Sequence, residues 1–152
     1  MTKSPFGFKK PEDSPGFLLW QTTIIWQRRI NKALDEYGVS HAQFVIMALL
    51  LWFQENNYES NQALIADKSK LDKMTVSKAL KKLVELGFVQ RTEDTRDTRA
   101  KVAQLTEKGK TMVKVLVPIV EGIDKKFFGN VSVFDQQQLI KILGALLEKI
   151  RD

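Results

Sequence analysis

Apolar residues recur along most of this chain at helical spacing, interrupted once by a short stretch that reads as paired strands. From about Phe17 to Tyr37, Leu19, Trp26, Ile30, Ala33, Leu34 and Tyr37 gather on one side at ~100° per residue, and Gly38 closes the run. Trp20 and Ile24 fall well off that stripe, which gives this helix two apolar surfaces, one for its own core and one for a partner. Ser40 opens a second helix to about Gln54 that is expected to bury Ala42, Val45, Ile46, Leu49, Leu50 and Phe53. Its strongly apolar stretch, Phe44 to Phe53, makes it the central helix. Glu55 to Glu59 is a polar connection, after which Ser60 is expected to cap a short helix over 61–67 with Ala63, Leu64 and Ile65 apolar. A turn at Lys68 to Lys70 leads to a helix from its cap Asp72 to Leu86, with Gly87 in the left-handed position that ends it. Short helix, tight turn, second helix is helix-turn-helix spacing.

Phe88 to Thr92 and Lys101 to Leu105 then read as a hairpin, a wing whose polar loop spans Glu93 to Ala100. Thr106 caps a long helix to about Phe128, with Val113, Leu116, Val117, Val120, Ile123 and Phe127 in one stripe and Pro118 expected to kink it. After a turn at Gly129–Asn130, Ser132 to Ile150 forms a last helix through Leu139, Ile142, Leu143, Leu146, Leu147 and Ile150. Residues 1–16 hold three of the four prolines and two glycines and are expected to be an irregular arm, with Phe6, Phe8 and Phe17 packing parts of it down. There is no internal repeat. The expected fold class is mainly α with a small β-hairpin. Behind the arm, 17–152 reads as a single domain, a winged helix-turn-helix core at 40–105 flanked by dimerisation helices at 17–37 and 106–152. The second surface of the first helix and the stripes of the last two are more than one small domain buries alone.

Composition narrows the function. A chain of 152 residues, 43% hydrophobic and 28% charged, suits one soluble domain. No apolar run approaches the roughly 20 residues of a membrane span, and the start has no apolar stretch of signal-peptide length, so a cytoplasmic location and no membrane partner are expected. No cysteine is present and His41 is the lone histidine, which excludes disulfides, thiolate chemistry and a zinc site built from His and Cys. No glycine-rich phosphate loop, nucleophile elbow or His-based acid/base pair is visible, so neither catalytic residues nor cofactors are expected.

Charge location adds more. Between Lys68 and Lys101 lie ten basic and five acidic residues, so five of the six net positive charges fall within 34 residues. Such a patch suits a polyanion; a merely solvated basic face is the competing reading. On the helix from Lys73 to Leu86, Val76, Ala79, Leu80, Leu83 and Leu86 converge as core. The opposite side centres on Lys78, Lys81 and Lys82, with Thr75 and Ser77 at its edges and Met74 unexpectedly among them. A B-DNA major groove admits one helix, and the N-terminal residues of that helix reach base edges. Lys73, Thr75, Ser77 and Lys78 are therefore base-reading candidates, while Lys81 and Lys82 would meet phosphates. Met74 is open to two readings, a thymine methyl contact or a capping contact with another helix. In the wing loop, Arg96 and Arg99 are DNA candidates, since an arginine at a hairpin tip suits a narrow A·T minor groove. Asp97 would organise the turn or hold an arginine in place.

The chain resembles the multiple-antibiotic-resistance regulator (MarR) family over essentially its whole length after the arm. The resemblance is carried by Gly38-Val39-Ser40-His41-Ala42-Gln43-Phe44, by Leu71-Asp72-Lys73-Met74-Thr75-Val76-Ser77-Lys78, and by Leu83-Val84-Glu85-Leu86-Gly87-Phe88-Val89-Gln90-Arg91. Its most specific part is Asp97-Thr98-Arg99 followed by Leu105-Thr106-Glu107-Lys108-Gly109. The resemblance implies a sequence-specific regulator, a repressor, that binds double-stranded DNA at a pseudo-palindromic operator as a homodimer joined through its first, fifth and sixth helices. It places Arg99 in the minor groove. It also implies a small aromatic or lipophilic effector bound between the dimerisation and DNA-binding parts, for which Trp20, Trp26, His41 and Trp52 are the candidates, against the alternative that they are core or interface aromatics. The family's cysteine-based peroxide sensing is ruled out. Ala103 stands where the family usually has a larger aliphatic strand residue and is expected to loosen wing packing. The competing function is a winged-helix protein-interaction module.

Overall fold

The computed structural model describes residues 3–93 and 101–150, and each α-helix in it begins on a short polar side chain that accepts a bond from the first turn. Such caps satisfy N–H groups that the helix itself leaves unpaired. Ser14 caps α1 (Pro15–Asp35), and Ser40 caps α2 (His41–Glu55). The Ser40 cap is a reciprocal box, because the Gln43 side chain also accepts the Ser40 N–H at 3.0 Å. Asn61 caps α3 (Gln62–Ser69), Asp72 caps α4 (Lys73–Glu85), Thr106 caps α5 (Glu107–Phe128) and Ser132 caps α6 (Val133–Lys149). Between α4 and α5, β1 (Val89–Glu93) and β2 (Lys101–Leu105) pair antiparallel from Val89 opposite Leu105 to Glu93 opposite Lys101. Six helices and one hairpin give the mainly helical winged-helix fold that the pattern predicts.

The central helix is α2, which packs on α1, α3, α4, α5 and β2. Its buried face carries Phe44, Ile46, Met47, Leu50 and Phe53, so the face is rotated from the expected one: Ala42, Val45 and Leu49 are only half-buried. In a helix this apolar all round, periodicity marks the face weakly, and neighbours decide it. From the other elements Ile30 and Leu34, Ile65, Leu80 and Leu83, Phe88, and Val113 and Leu116 complete one core.

Several local expectations need correction. Ser60 does not cap α3; Asn61 does, with its carbonyl oxygen accepting from the Leu64 N–H at 2.8 Å. Ser60 instead bonds the free edge of β2, its hydroxyl donating to the Ala103 carbonyl at 2.6 Å while its own carbonyl accepts from the Ala103 N–H at 2.9 Å. Ala103 is buried, lies opposite Arg91 of β1 and is bonded through both its backbone groups to Ser60. The helix α3 runs to Ser69 and ends in a left-handed Lys70, φ 63°. The arm contains a 3-10 turn over Pro11–Asp13, and α1 starts two residues earlier than expected. Phe6, Phe8, Phe17 and Leu19 are exposed rather than packed down, with Phe6 81% accessible. Pro118 lies within α5, as the pattern places it. No residue of α6 is buried, and its apolar stripe borders an open groove of about 390 Å³ against α5.

Candidate nucleic-acid interface

The first turn of α4 is fixed by Asp72, whose carboxylate accepts the Thr75 N–H at 2.8 Å and the Thr75 hydroxyl at 2.8 Å. Those bonds favour the charged form and hold this exposed carboxyl below the usual carboxylate range. From that start, 3.6-residue periodicity sends Val76, Ala79, Leu80 and Leu83 into the core. The opposite face leaves Lys73, Met74, Lys78, Lys81 and Lys82 exposed, with Thr75 and Ser77 half-buried at its margins. Among the described residues the one ion pair on that face, Lys82 with Glu85 at 3.9 Å, is long and solvent-screened, so it leaves the Lys82 charge available.

The joint between α4, the wing and α5 is built from a few close contacts. Gly87 takes φ 82°, a left-handed conformation open to glycine. The Thr106 hydroxyl donates to the Gly87 carbonyl at 2.6 Å and accepts from the Gly109 N–H at 3.0 Å, while the Thr106 N–H donates to the Phe88 carbonyl at 3.0 Å. Lys108 reaches back to the Leu86 carbonyl at 2.9 Å with its ammonium 5.1 Å from the Phe88 ring centre. Gly109 is buried so tightly that a Cβ would collide with the Phe88 carbonyl. The wing base is tied to α3 as well, by Arg91 Nη2 donating to Gln62 Oε1 at 2.7 Å. Arg96, Arg99 and the rest of the wing loop, 94–100, lie outside the described residues.

Of the four effector candidates the structure brings two together. Trp26 of α1 meets His41 of α2 edge-on, ring centres 5.1 Å apart, and its indole N–H donates to Asp124 of α5 at 2.8 Å. Burial lowers the His41 pKa from its ordinary value, with the Asp124 charge acting weakly in the opposite sense. Trp52 lies apart, stacked on Tyr58 at 5.1 Å and beside Phe53, and Trp20 is 65% exposed on the first turns of α1. The tie to Asp124 was missed by sequence reasoning. It spans 98 residues, and no local pattern announces it. A separate cleft of about 550 Å³, between the end of α2, β2 and the start of α5, is lined by none of the four. Among the described residues no group of three His, Cys, Asp or Glu is placed to hold a metal ion, and no helix is long and apolar enough to cross a membrane.

Residues 35–122 match the family model of the ArnR1-like winged-helix domain. YdcH of Bacillus subtilis (strain 168), an uncharacterized HTH-type transcriptional regulator, is 39% identical over 121 residues, which cover 80% of this chain and 82% of that one. A MarR-family transcriptional regulator from Rhodococcus sp. RHA1 shares the fold at TM-score 0.82 and 24% identity, over 92% of this chain and 96% of the other. Bordetella bronchiseptica BpsR, whose DNA binding is regulated by 6-hydroxynicotinic acid, does so at TM-score 0.83 and 19% identity, over 97% and 100%. With a winged-helix model matched over more than half of its length and a transcriptional regulator 39% identical to it, the chain belongs to the MarR family of winged-helix transcriptional regulators.

Proposed function

We propose that two copies of this chain bind one double-stranded DNA operator, a pseudo-palindrome, and repress transcription there. Each copy sets α4 in the major groove and its wing in the neighbouring minor groove. The observation that carries this reading is the face of α4 opposite the core, where Lys73, Lys78, Lys81 and Lys82 stand in solvent beside a rigidly joined wing. Lys73, Thr75, Ser77 and Lys78 are assigned to base edges, Lys81 and Lys82 to phosphates, and Arg96 and Arg99 to the minor groove. The Thr75 hydroxyl, which donates to Asp72, keeps only its acceptor side for a base. Pairing is supported by α6, which buries none of its apolar stripe within one subunit. The likeness to BpsR makes an aromatic acid the first effector to try, and the Trp26–His41 contact is its assigned place. A non-catalytic, cytoplasmic role fits the regulators to which the chain is similar.

The test is affinity against log salt for wild type, Thr75→Ala, Lys82→Ala and Arg99→Ala, on a duplex selected from a random pool and on a scrambled one. Lys82→Ala is expected to flatten the salt slope by about one per subunit without changing site preference. Arg99→Ala should weaken binding to both duplexes, and Thr75→Ala should relax sequence choice. Wild-type behaviour of Arg99→Ala at every salt would remove the wing from the interface. A pool that yields no enriched sequence would favour a protein-interaction module instead.

A further inference from the structure

We propose that Met74 is a specificity-determining residue that reads the 5-methyl group of a thymine; this rests on α4 entering the major groove as described above. Met74 is 69% exposed, the most exposed large apolar side chain between α2 and β2 among the described residues. That exposure excludes a packing role against another helix of its own subunit. The remaining bare apolar side chains are concentrated on the arm, α1 and α6, where a second copy would cover them. Met74 lies instead among the exposed lysines of α4. On α4 it lies about 20° around the helix from Lys81 and about 40° from Lys78, and about 180° from the buried Leu83. It is therefore at the centre of the cationic face, not at its edge.

Its neighbours in the first turns define what is left to read a base. The Thr75 hydroxyl proton is committed to Asp72, Ser77 is half-buried, and Lys73 and Lys78 supply ammonium donors. Donors of that kind suit guanine O6 and N7 and phosphate oxygens. Hydrogen-bond donors do not recognise the methyl group, the one apolar feature that distinguishes thymine in the major groove, and of the two apolar groups in these turns the Thr75 methyl is on a half-buried residue whereas Met74 is exposed. An unbranched thioether has the reach and adaptability to cover it. Covering one methyl is worth about a fourfold change in affinity per half-site by apolar transfer.

The experiment uses the full chain and the duplex it selects from a random pool, made once with thymine and once with uracil at each thymine facing α4. Wild type should bind the uracil duplex about fourfold more weakly for each half-site that loses the methyl under Met74. Met74→Ala should bind both duplexes equally, and Met74→Leu should restore most of the preference. Because the side chain is exposed, the melting temperatures of both variants are expected to match wild type, which separates lost contact from lost fold. Equal thymine preference in wild type and Met74→Ala would overturn the assignment, as would a selected site with no thymine opposite α4. So would a wild type indifferent to the methyls that still prefers the selected duplex over a scrambled one, a result that leaves α4 in the groove. Absence of any enriched duplex would instead bring down the docking on which the assignment rests.

Discussion

Gly109 is placed where the first turn of α5 presses on the backbone of Phe88, and only hydrogen fits between them. Gly109→Ala is expected to force that joint apart and cost about 2–3 kcal/mol, read as a fall in midpoint denaturant concentration at unchanged slope. A melt indistinguishable from wild type would mean the joint is looser than its geometry. His41 offers a second single-residue test. Burial makes its folded-state pKa lower than in the unfolded chain, so the folded protein binds this proton less tightly. Its contribution is then complete above pH ~6.5 and is lost as pH falls through that value toward the lowered one. The melting temperature should drop on acidification across this window, and His41→Gln should flatten that part of the profile. Equal pH profiles for the two proteins would show that the desolvation is not felt in stability.

At the scale of elements, every helix and both strands could be located from periodicity and punctuation because caps and cores agree. Asp72, Thr106 and Ser132 are short polar residues set just before apolar stripes, and each is a cap in the structure. What failed was choice between adjacent equivalents. Ser60 and Asn61 both suit a cap, and the bonds of Ser60 to Ala103, 43 residues away, decide the matter. The buried face of α2 was misplaced for a related reason, since nearly every residue from Phe44 to Phe53 is apolar and only its five packing neighbours select a side. At the site, the exposed lysines of α4 and the buried stripe behind them were legible. The commitment of Thr75 to Asp72 and of Trp26 to Asp124 was not, because both depend on side-chain geometry rather than on spacing. An element-scale prediction follows from the cap: Asp72→Asn should preserve the start of α4, since an amide oxygen also accepts from Thr75, whereas Asp72→Ala should lower both thermal stability and operator affinity. Equal operator affinity for Asp72→Ala and wild type would show that the first turn of α4 does not contact DNA.

For the whole molecule, one copy of the chain leaves Leu143, Leu146 and Leu147 of α6, and Ile150 at its end, in water, together with Trp20 and Ile24 of α1. Sedimentation is expected to give a mass of about 35 kDa, twice the 17.4 kDa of the chain. Leu143→Glu with Leu147→Glu should shift it toward 17.4 kDa and abolish tight operator binding, and a single 17.4 kDa species for wild type would end the two-copy account. The joint of Gly87, Phe88, Thr106 and Gly109 has a mechanical consequence for such a pair. It clamps α4 and the wing to one end of α5, a helix of 22 residues and thus about 33 Å, whose other end holds Asp124 against Trp26. The helix is a lever with unequal arms. A tilt of about 10° about Asp124, which lies about 23 Å along the helix from Gly109, would carry the clamped end about 4 Å, and two copies tilting oppositely would change the reach between their α4 helices by about 8 Å, roughly a quarter of one helical turn of DNA. Since the chain has no cysteine, Lys81→Cys would carry one spin label per subunit and the two labels would act as a ruler. A ligand seated at the fulcrum should move that ruler by ångströms while shifting its own contacts by far less.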